Sequence, residues 1–375
     1  MGTRPPSTAT RVLVISGSVG AGHDGAADEL VSRLAKLGVA ADRRDFLDAL
    51  PRACRYLLRD GYRLSVGYWP AFFDWLFASL ERTGWVRRVA LWLCKIAQRD
   101  VLRWVGDHDV VVSTYMLSSQ TLGQLKEAGR INATLVTFLT DPAVHRTWVH
   151  SAVDHHVTVT EATAQMGQRE YSTPMRAVGG LVSPRFAEPV DPARRQALRA
   201  ELGLSADGLV VLLATGSLGM GDVPNVVRSI TSSGVAEVVV LCGRNDGLRK
   251  QLSVQPGVVA LGWRDDVPEL MAAADVLVHN AGGLSLTEAL TAGLPAVTYR
   301  PIPGHGIANS QVLADAGLAP WPKDDAELVE AIRKQAINRG DPGCVVLNPD
   351  TAALVLELLA ERDQHVVPGQ DALPA

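Results

Sequence analysis

The sequence predicts an α/β protein made of two Rossmann-like domains whose parallel sheets face each other across a cleft. Three observations predict it. Short uninterrupted apolar runs, suited to strands buried on both faces, alternate with helical stretches along the chain. The series breaks once, where Gly, Pro and polar residues cluster from Gly179 to Asp191, and then restarts. Each half opens with an apolar run that leads into a glycine loop. A chain of 375 residues, 47% of them apolar, is too long for one ordinary core and suits two.

The first domain is expected over 1–185. Its first strand is Arg11–Ser16, ending at Gly17, and its first helix runs from about Gly25 to Leu37. Ala27, Leu30, Val31 and Leu34 sit at helical spacing, and Gly38 closes the helix. Strands follow at Val39–Asp42, Asp109–Ser113, Ala133–Leu139 and His155–Thr160. The second domain, 186–345, has strands at Leu209–Ala214, Val235–Cys242, Val258–Leu261, Val276–His279 and Ala296–Tyr299. A last helix, about 350–362, is expected to pack back onto the first domain.

Residues 50–105 break the rhythm. They hold five of the eight tryptophans (Trp69, Trp75, Trp85, Trp92 and Trp104) with Tyr56, Tyr62, Tyr68, Phe72, Phe73 and Phe77. Ten basic residues stand against four acidic ones, a local charge of +6 in a chain of net charge -4. The segment reads as helices inserted into the first domain. Two readings stay open: a helical layer on the sheet, or a face that meets an anionic membrane surface. On the second, Tyr68, Trp69, Phe72, Phe73 and Trp75 are the expected anchors.

Composition excludes other classes. The pI of about 6.1 gives no electrostatic case for nucleic acid. Cys54, Cys94, Cys242 and Cys344 form no CxxC pair, which argues against a zinc site or a disulfide framework. Met1 to Thr10 lacks an apolar signal core, so a cytoplasmic location is expected.

Two glycine loops carry the chemistry. In the first, Gly20-Ala21-Gly22-His23-Asp24-Gly25 matches the dinucleotide pattern GxGxxG, with Asp45 twenty residues on. The match is discounted because Gly17 already makes the turn and three residues intervene before Gly20. His23 lies near a helix N-terminus, where the dipole disfavours a cation. It is either a general base or a cap of the turn. The second loop, Gly216-Ser217-Leu218-Gly219, presents amides suited to phosphate oxygens. Farther on, Gly282 and Gly283 lead into a helix, and Glu288 lies one turn inside it. Glu288 either binds vicinal ribose hydroxyls or is a carboxylate favoured by the dipole. No metal-ligand pattern is visible, so a diphosphate is expected to be neutralised by helix dipoles and Arg244, without a metal ion or cofactor.

Taken together, these motifs resemble a group of glycosyltransferases with the GT-B fold. The group contains monogalactosyldiacylglycerol synthase, processive diacylglycerol glucosyltransferase and the lipid II-forming N-acetylglucosaminyltransferase. Gly20-Ala21-Gly22-His23 resembles the GxGH loop, and Leu139-Thr140-Asp141 with His145, Trp148 and His150 resembles the TD…H..W.H stretch. Gly262-Trp263 through Asp275 resembles the base-binding turn. Ala281-Gly282-Gly283-Leu284-Ser285 with Thr287-Glu288 and Gly293-Leu294-Pro295 resembles the sugar-nucleotide signature.

The resemblance implies roles. His23 is the base, with Gly22, Tyr115 and Asp141 on the acceptor side. Gly216, Ser217 and Gly219 line the diphosphate, while Trp263 and Arg264 frame the nucleobase. Gly283, Leu284 and Ser285 hold phosphate, and Glu288 holds the ribose. His305 and Asn309 fall on the donor side. The chain departs from the PGQE pattern there, because His305 stands for the glutamine and Gly306 for the glutamate.

The expected activity is metal-independent transfer, with inversion, from a nucleotide-diphosphate sugar (a UDP-sugar) to a lipid such as diacylglycerol. The expected site of action is the inner face of the plasma membrane. The alternatives are a soluble secondary-metabolite acceptor, a sugar-nucleotide epimerase, and a non-catalytic sugar-nucleotide-binding protein.

Overall fold

The computed structural model describes residues 11–280, 282–340 and 350–366, without the side chains of 62–68, 365 and 366. Expectations for the leader, Tyr62, Tyr68, Ala281, Cys344 and the boundary at 345 lie outside these residues.

The first sheet collects β1 (Val12–Ser16), β2 (Ala41–Asp45), β3 (Val110–Ser113), β4 (Thr134–Leu139), β5 (His155–Thr158) and β6 (Met175–Ala177). The order is β2-β1-β3-β4-β5-β6, with every pairing parallel. Its helices are α1 (Ala21–Lys36), α2 (Arg52–Tyr68), α3 (Pro70–Glu81), α4 (Trp85–Val105), α5 (Met116–Glu127) and α6 (Glu161–Tyr171). Side chains alternate across β1 as strand geometry requires. Leu13 and Ile15 pack with Cys94, Ala97 and Val101 of α4. Val12 and Val14 pack on the other face with Leu30 and Leu34 of α1.

The second sheet holds β7 (Val210–Ala214), β8 (Glu237–Leu241), β9 (Val258–Leu261), β10 (Val276–His279) and β11 (Ala296–Thr298), all parallel in the order β11-β10-β7-β8-β9. Around it run α7 (Pro192–Glu201), α8 (Val223–Ser232), α9 (Asp246–Leu252), α10 (Val267–Ala273), α11 (Gly283–Thr291), α12 (His305–Asp315) and α13 (Asp325–Ala336).

The chain passes between the two cores at Leu181–Val182. Val178 and Leu181 belong to the first core, and Val182 and Phe186 to the second. It returns in α14 (Thr351–Val366), whose Ala352, Leu354, Val355, Leu358 and Leu359 pack beside Val12, Val14 and Leu30. Each buried Leu or Val contributes about 1.5–3 kcal/mol, so this face holds the terminal helix to the first sheet.

Three local expectations differ from the structure. Helix α1 begins at Ala21 rather than near Gly25, with Gly20 extended before it (φ -143°, ψ 147°). Strand β6 was not anticipated: at three residues it is too short to show a period. Strand β2 starts two residues later and ends at Asp45, whose carboxylate accepts from the Leu47 and Ser18 amides. Asp45 therefore closes a turn rather than reaching toward a ribose.

Helices α2–α4 form the segment between β2 and β3. Its faces differ in burial. Leu93, Cys94, Ala97 and Val101 of α4 are buried, while Tyr56, Leu57, Trp69, Phe72, Trp75, Trp85, Val89 and Trp92 are exposed. Phe73, expected at the surface, is buried against Ile302 of the second domain.

Candidate active site

In a parallel sheet, the loops after the strands gather at the C-terminal edge, and both edges here open on the cleft. They wall one cavity of about 560 Å³.

His23 stands in the first turn of α1. The Gly17 turn before it is tight, because a Cβ on Gly17 would lie 2.5 Å from the Tyr115 ring. The Nδ1 of His23 is 2.8 Å from the Thr114 carbonyl oxygen and 3.0 Å from Thr140 Oγ1. A carbonyl only accepts, so Nδ1 carries a proton, and in the neutral ring the lone pair is therefore on Nε2. Thr114 Oγ1 donates to the His23 carbonyl at 2.9 Å, and the rings of Tyr115 and Trp148 flank the imidazole at 5.2 and 5.9 Å. Backbone, hydroxyl and aromatic contacts thus fix one tautomer and one ring orientation.

Asp141 also lines the cavity. Trp148 Nε1 donates to it at 3.2 Å and Asn309 Nδ2 at 3.4 Å. Tyr115 is buried, and burial raises its phenol well above the usual range.

The opposite wall is built by the second domain. Gly216 and Ser217 line it after β7, and Gly283, Leu284 and Ser285 line it at the start of α11. Gly216 has φ +71°, a left-handed value that favours glycine. The turn of α11 presses on the first domain. A Cβ on Gly283 would sit 2.2 Å from the Thr140 carbonyl, and Leu284 lies against Gly22 and Gly25 of α1. Glu288 lies farther along α11. Its carboxyl makes no hydrogen bond among the described residues, and burial pushes it up to about 8. A carboxyl in that condition gains from a ligand that supplies hydroxyl donors.

His305 opens α12, half-buried between the rings of Phe73 and Phe77 at 6.1 and 5.9 Å. Burial pulls its imidazole below the usual value while Asp141 opposes the shift. A Cβ on Gly306 would lie 2.8 Å from Ile302 Cγ1, so that position has no room for a glutamate unless Ile302 moves.

Six predicted donor residues do not line this cavity, Glu288 among them. Gly219 is wedged where a Cβ would meet the Cys242 carbonyl at 2.6 Å, so it shapes the loop from behind. Arg244 lies over the Trp263 ring at 4.9 Å, and Arg264 pairs with Asp266 at 2.7 Å. These three residues sit together at the outer end of the same sheet edge, beyond β8 and β9. Asn309 faces the first domain, where its Oδ1 accepts from the Ala143 amide at 2.9 Å.

Sequence reasoning gave no role to Thr114 or Thr140. A backbone carbonyl leaves no sequence signal. Nor could a pattern show that Phe73, Leu76, Phe77, Leu80, Val86 and Leu93 extend the cavity from His23 into α3 and α4.

Comparison with known proteins agrees with this architecture. Residues 27–174 match the family model of monogalactosyldiacylglycerol (MGDG) synthase, and residues 220–354 match that of glycosyl transferases group 1. The processive diacylglycerol beta-glucosyltransferase of Bacillus subtilis is 24% identical over 345 residues, covering 87% of each chain. That of Bacillus pumilus is 23% identical over 340 residues, covering 87% of this chain and 86% of its own. Among solved structures, MurG of Acinetobacter baumannii superposes with a TM-score of 0.56 at 16% identity, covering 93% of this chain and 99% of its own. HepE of Anabaena, in complex with UDP-glucose, gives 0.57 at 16% identity, with coverage of 95% and 99%. The chain is a glycosyltransferase of the GT-B fold, resembling the group of monogalactosyldiacylglycerol synthase, processive diacylglycerol glucosyltransferase and lipid II-forming N-acetylglucosaminyltransferase.

Proposed function

We propose that the protein transfers a sugar from a UDP-sugar to the hydroxyl of a lipid such as diacylglycerol, with inversion and without a metal ion. One observation carries the reading. A single cavity joins His23 and the two amide-bearing loops at one end to apolar walls from α2, α3 and α4 at the other. A polar reaction centre at the end of an apolar channel suits an acceptor with a hydroxyl head and an acyl tail.

The acceptor hydroxyl gives its proton to His23 Nε2 as its oxygen attacks the anomeric carbon. The bond to the diphosphate oxygen breaks on the opposite face, which inverts the centre. The departing diphosphate takes the electron pair, and its charge is held by the α11 N-terminus and the Gly216–Ser217 loop. The Thr114 carbonyl, already on Nδ1, steadies the imidazolium that forms. Glu288 accepts from the ribose hydroxyls, and the Arg244–Trp263 stack offers a platform for the base.

The exposed Trp69, Phe72, Trp75, Trp85 and Trp92 lie on the helices that wall the channel. With the basic residues around them, they favour docking on an anionic bilayer, which puts the channel beside its substrate. The described residues include no helix long and apolar enough to cross a membrane.

The test is a transfer assay with a panel of UDP-sugars, offering diacylglycerol in mixed micelles or water-soluble alcohols. The expected result is product only with the lipid, lost in His23→Ala. Turnover on soluble alcohols alone would overturn the lipid assignment.

A further inference from the structure

We infer that Arg33 and Gly180 form the fulcrum of the cleft, as positioning residues that set helix α11 against helix α1. The inference rests on the reading of those two helices as the two halves of the reaction centre.

The chain passes between the domains twice, and Arg33 holds both passages. The first falls at Leu181–Val182, between the two cores. The guanidinium straddles it, donating from Nη2 to the Gly180 carbonyl at 3.2 Å and to the Val182 carbonyl at 2.6 Å. The second return begins α14, and there Nη1 meets Asp350 at 2.9 Å. Nε is held by Glu29, one turn back on α1, at 2.8 Å. The side chain is 17% exposed, so these contacts are shielded from competing water. A planar fork can hold several acceptors in fixed directions, whereas a lysine ammonium is a point charge.

Gly180 connects this clamp to the donor side. A Cβ there would lie 2.1 Å from Thr287 Cγ2 of α11. Gly180 has no left-handed φ, so its missing side chain serves the close approach and not the backbone conformation. Helix α11 therefore meets the first domain at two levels. Its first turn touches Thr140, Gly22 and Gly25, and Thr287, one turn on, rests on Gly180. Two levels of contact fix an angle where one would leave a pivot free. Arg33 lies ten residues from His23 on α1, about 15 Å along the helix. A displaced fulcrum thus moves the imidazole relative to the α11 amides without touching either.

The test uses the full chain and three readouts: kcat for transfer, affinity for UDP alone by calorimetry, and small-angle scattering with and without UDP. Gly180→Ala is expected to lower kcat at least 10-fold, leave the UDP Kd within twofold, and change the scattering profile. Thr287→Ser removes Cγ2 but keeps the hydroxyl that donates to the Gly283 carbonyl at 2.7 Å. The double variant Gly180→Ala/Thr287→Ser is therefore expected to return kcat to within threefold of wild type. Arg33→Ala is expected to reproduce the loss, and Arg33→Lys is expected not to rescue it. A Gly180→Ala protein with wild-type kcat and scattering overturns the inference. So does a folded double variant that does not recover. If the wild-type protein shows no transfer to any acceptor, the proposed function fails, and the scattering and UDP arms still decide the fulcrum.

Discussion

The two strand-to-helix turns that face each other across the cleft are built alike and do different work. After β1 the turn ends in Gly20, and His23 sits in the first turn of α1. After β10 the turn ends in Gly282, and the first turn of α11 begins Gly283-Leu284-Ser285 with no ionisable side chain. Both helix N-termini carry the same partial positive charge. In α1 an imidazole stands in that field. In α11 the same field, left bare, favours an anion. In the first turn, Gly22 and Gly25 are the surface on which Leu284 rests. A glycine-rich turn is therefore not one motif, and the side chain in the first helical turn decides which chemistry it serves.

The comparison breaks most visibly at His23. His23→Ala is expected to lower kcat by roughly 10²–10⁴ while UDP affinity, which belongs to the other turn, stays within twofold. Calorimetry beside turnover measurements checks it, and equal losses in both would mean that the turns do not divide the work.

Glu288 sharpens the α11 side. Glu288→Ala is expected to weaken binding by about 1.5–3 kcal/mol for every sugar on the same nucleotide. A loss confined to one sugar would place the carboxylate on the sugar instead. The same residue predicts a pH dependence. Its pKa rises from 4.5 to about 8 on folding, through burial. The folded protein thus keeps a proton that the unfolded chain gives up. Stability relative to Glu288→Gln is full below pH 4.5, falls as pH climbs toward 8, and is flat above. The difference across that window is on the order of 2 kcal/mol, discounted because the residue is half-buried by area. Thermal unfolding of both proteins from pH 5 to 9 without ligand reads it, and parallel curves would refute it.

The outer face of the first domain gives a smaller effect. Arg82 and Arg88 are exposed among the aromatic residues. Replacing both with Ala is expected to weaken binding to anionic vesicles by about 2 kcal/mol at low salt. The difference should vanish near 1 M salt, where screening shortens to about 3 Å. Co-sedimentation at both salt concentrations decides it. The smallest expected effect is that of excess EDTA, which should change turnover less than twofold because amides hold the diphosphate. Abolition by EDTA with rescue by Mg²⁺ would show that bare amides are not enough.

Much of the fold was legible because it rests on local pattern. Val110–Ser113, Val210–Ala214 and Val276–His279 are short, apolar and β-branched, and each emerges as a buried strand. Gly38, with φ +78°, closes α1 as expected of a glycine after a helix. The start of α1 was not legible. Three glycines in six residues read as loop, yet the helix begins at Ala21 and runs through Gly22 and Gly25, on whose bare surface Leu284 of α11 packs. The aromatic pattern of the segment 50–105 puts Phe73 at the surface. It is buried instead because Ile302, 229 positions away, comes to meet it.

The sequence alone determined the two parallel sheets, the places where strands end in glycine turns, and the residue types in those turns, because each depends on neighbours within a few positions. It did not determine which glycines face a ligand and which face another helix. The tautomer of His23, fixed by a carbonyl 91 residues away, came from the tertiary structure. So did Asn309 turning toward Ala143, the apolar channel joining α3 and α4 to the polar loops, and Arg33 on both passages of the chain. Each is a contact between segments distant in the chain, and hydrophobic pattern and local propensity constrain what a segment becomes, not which distant segment it meets.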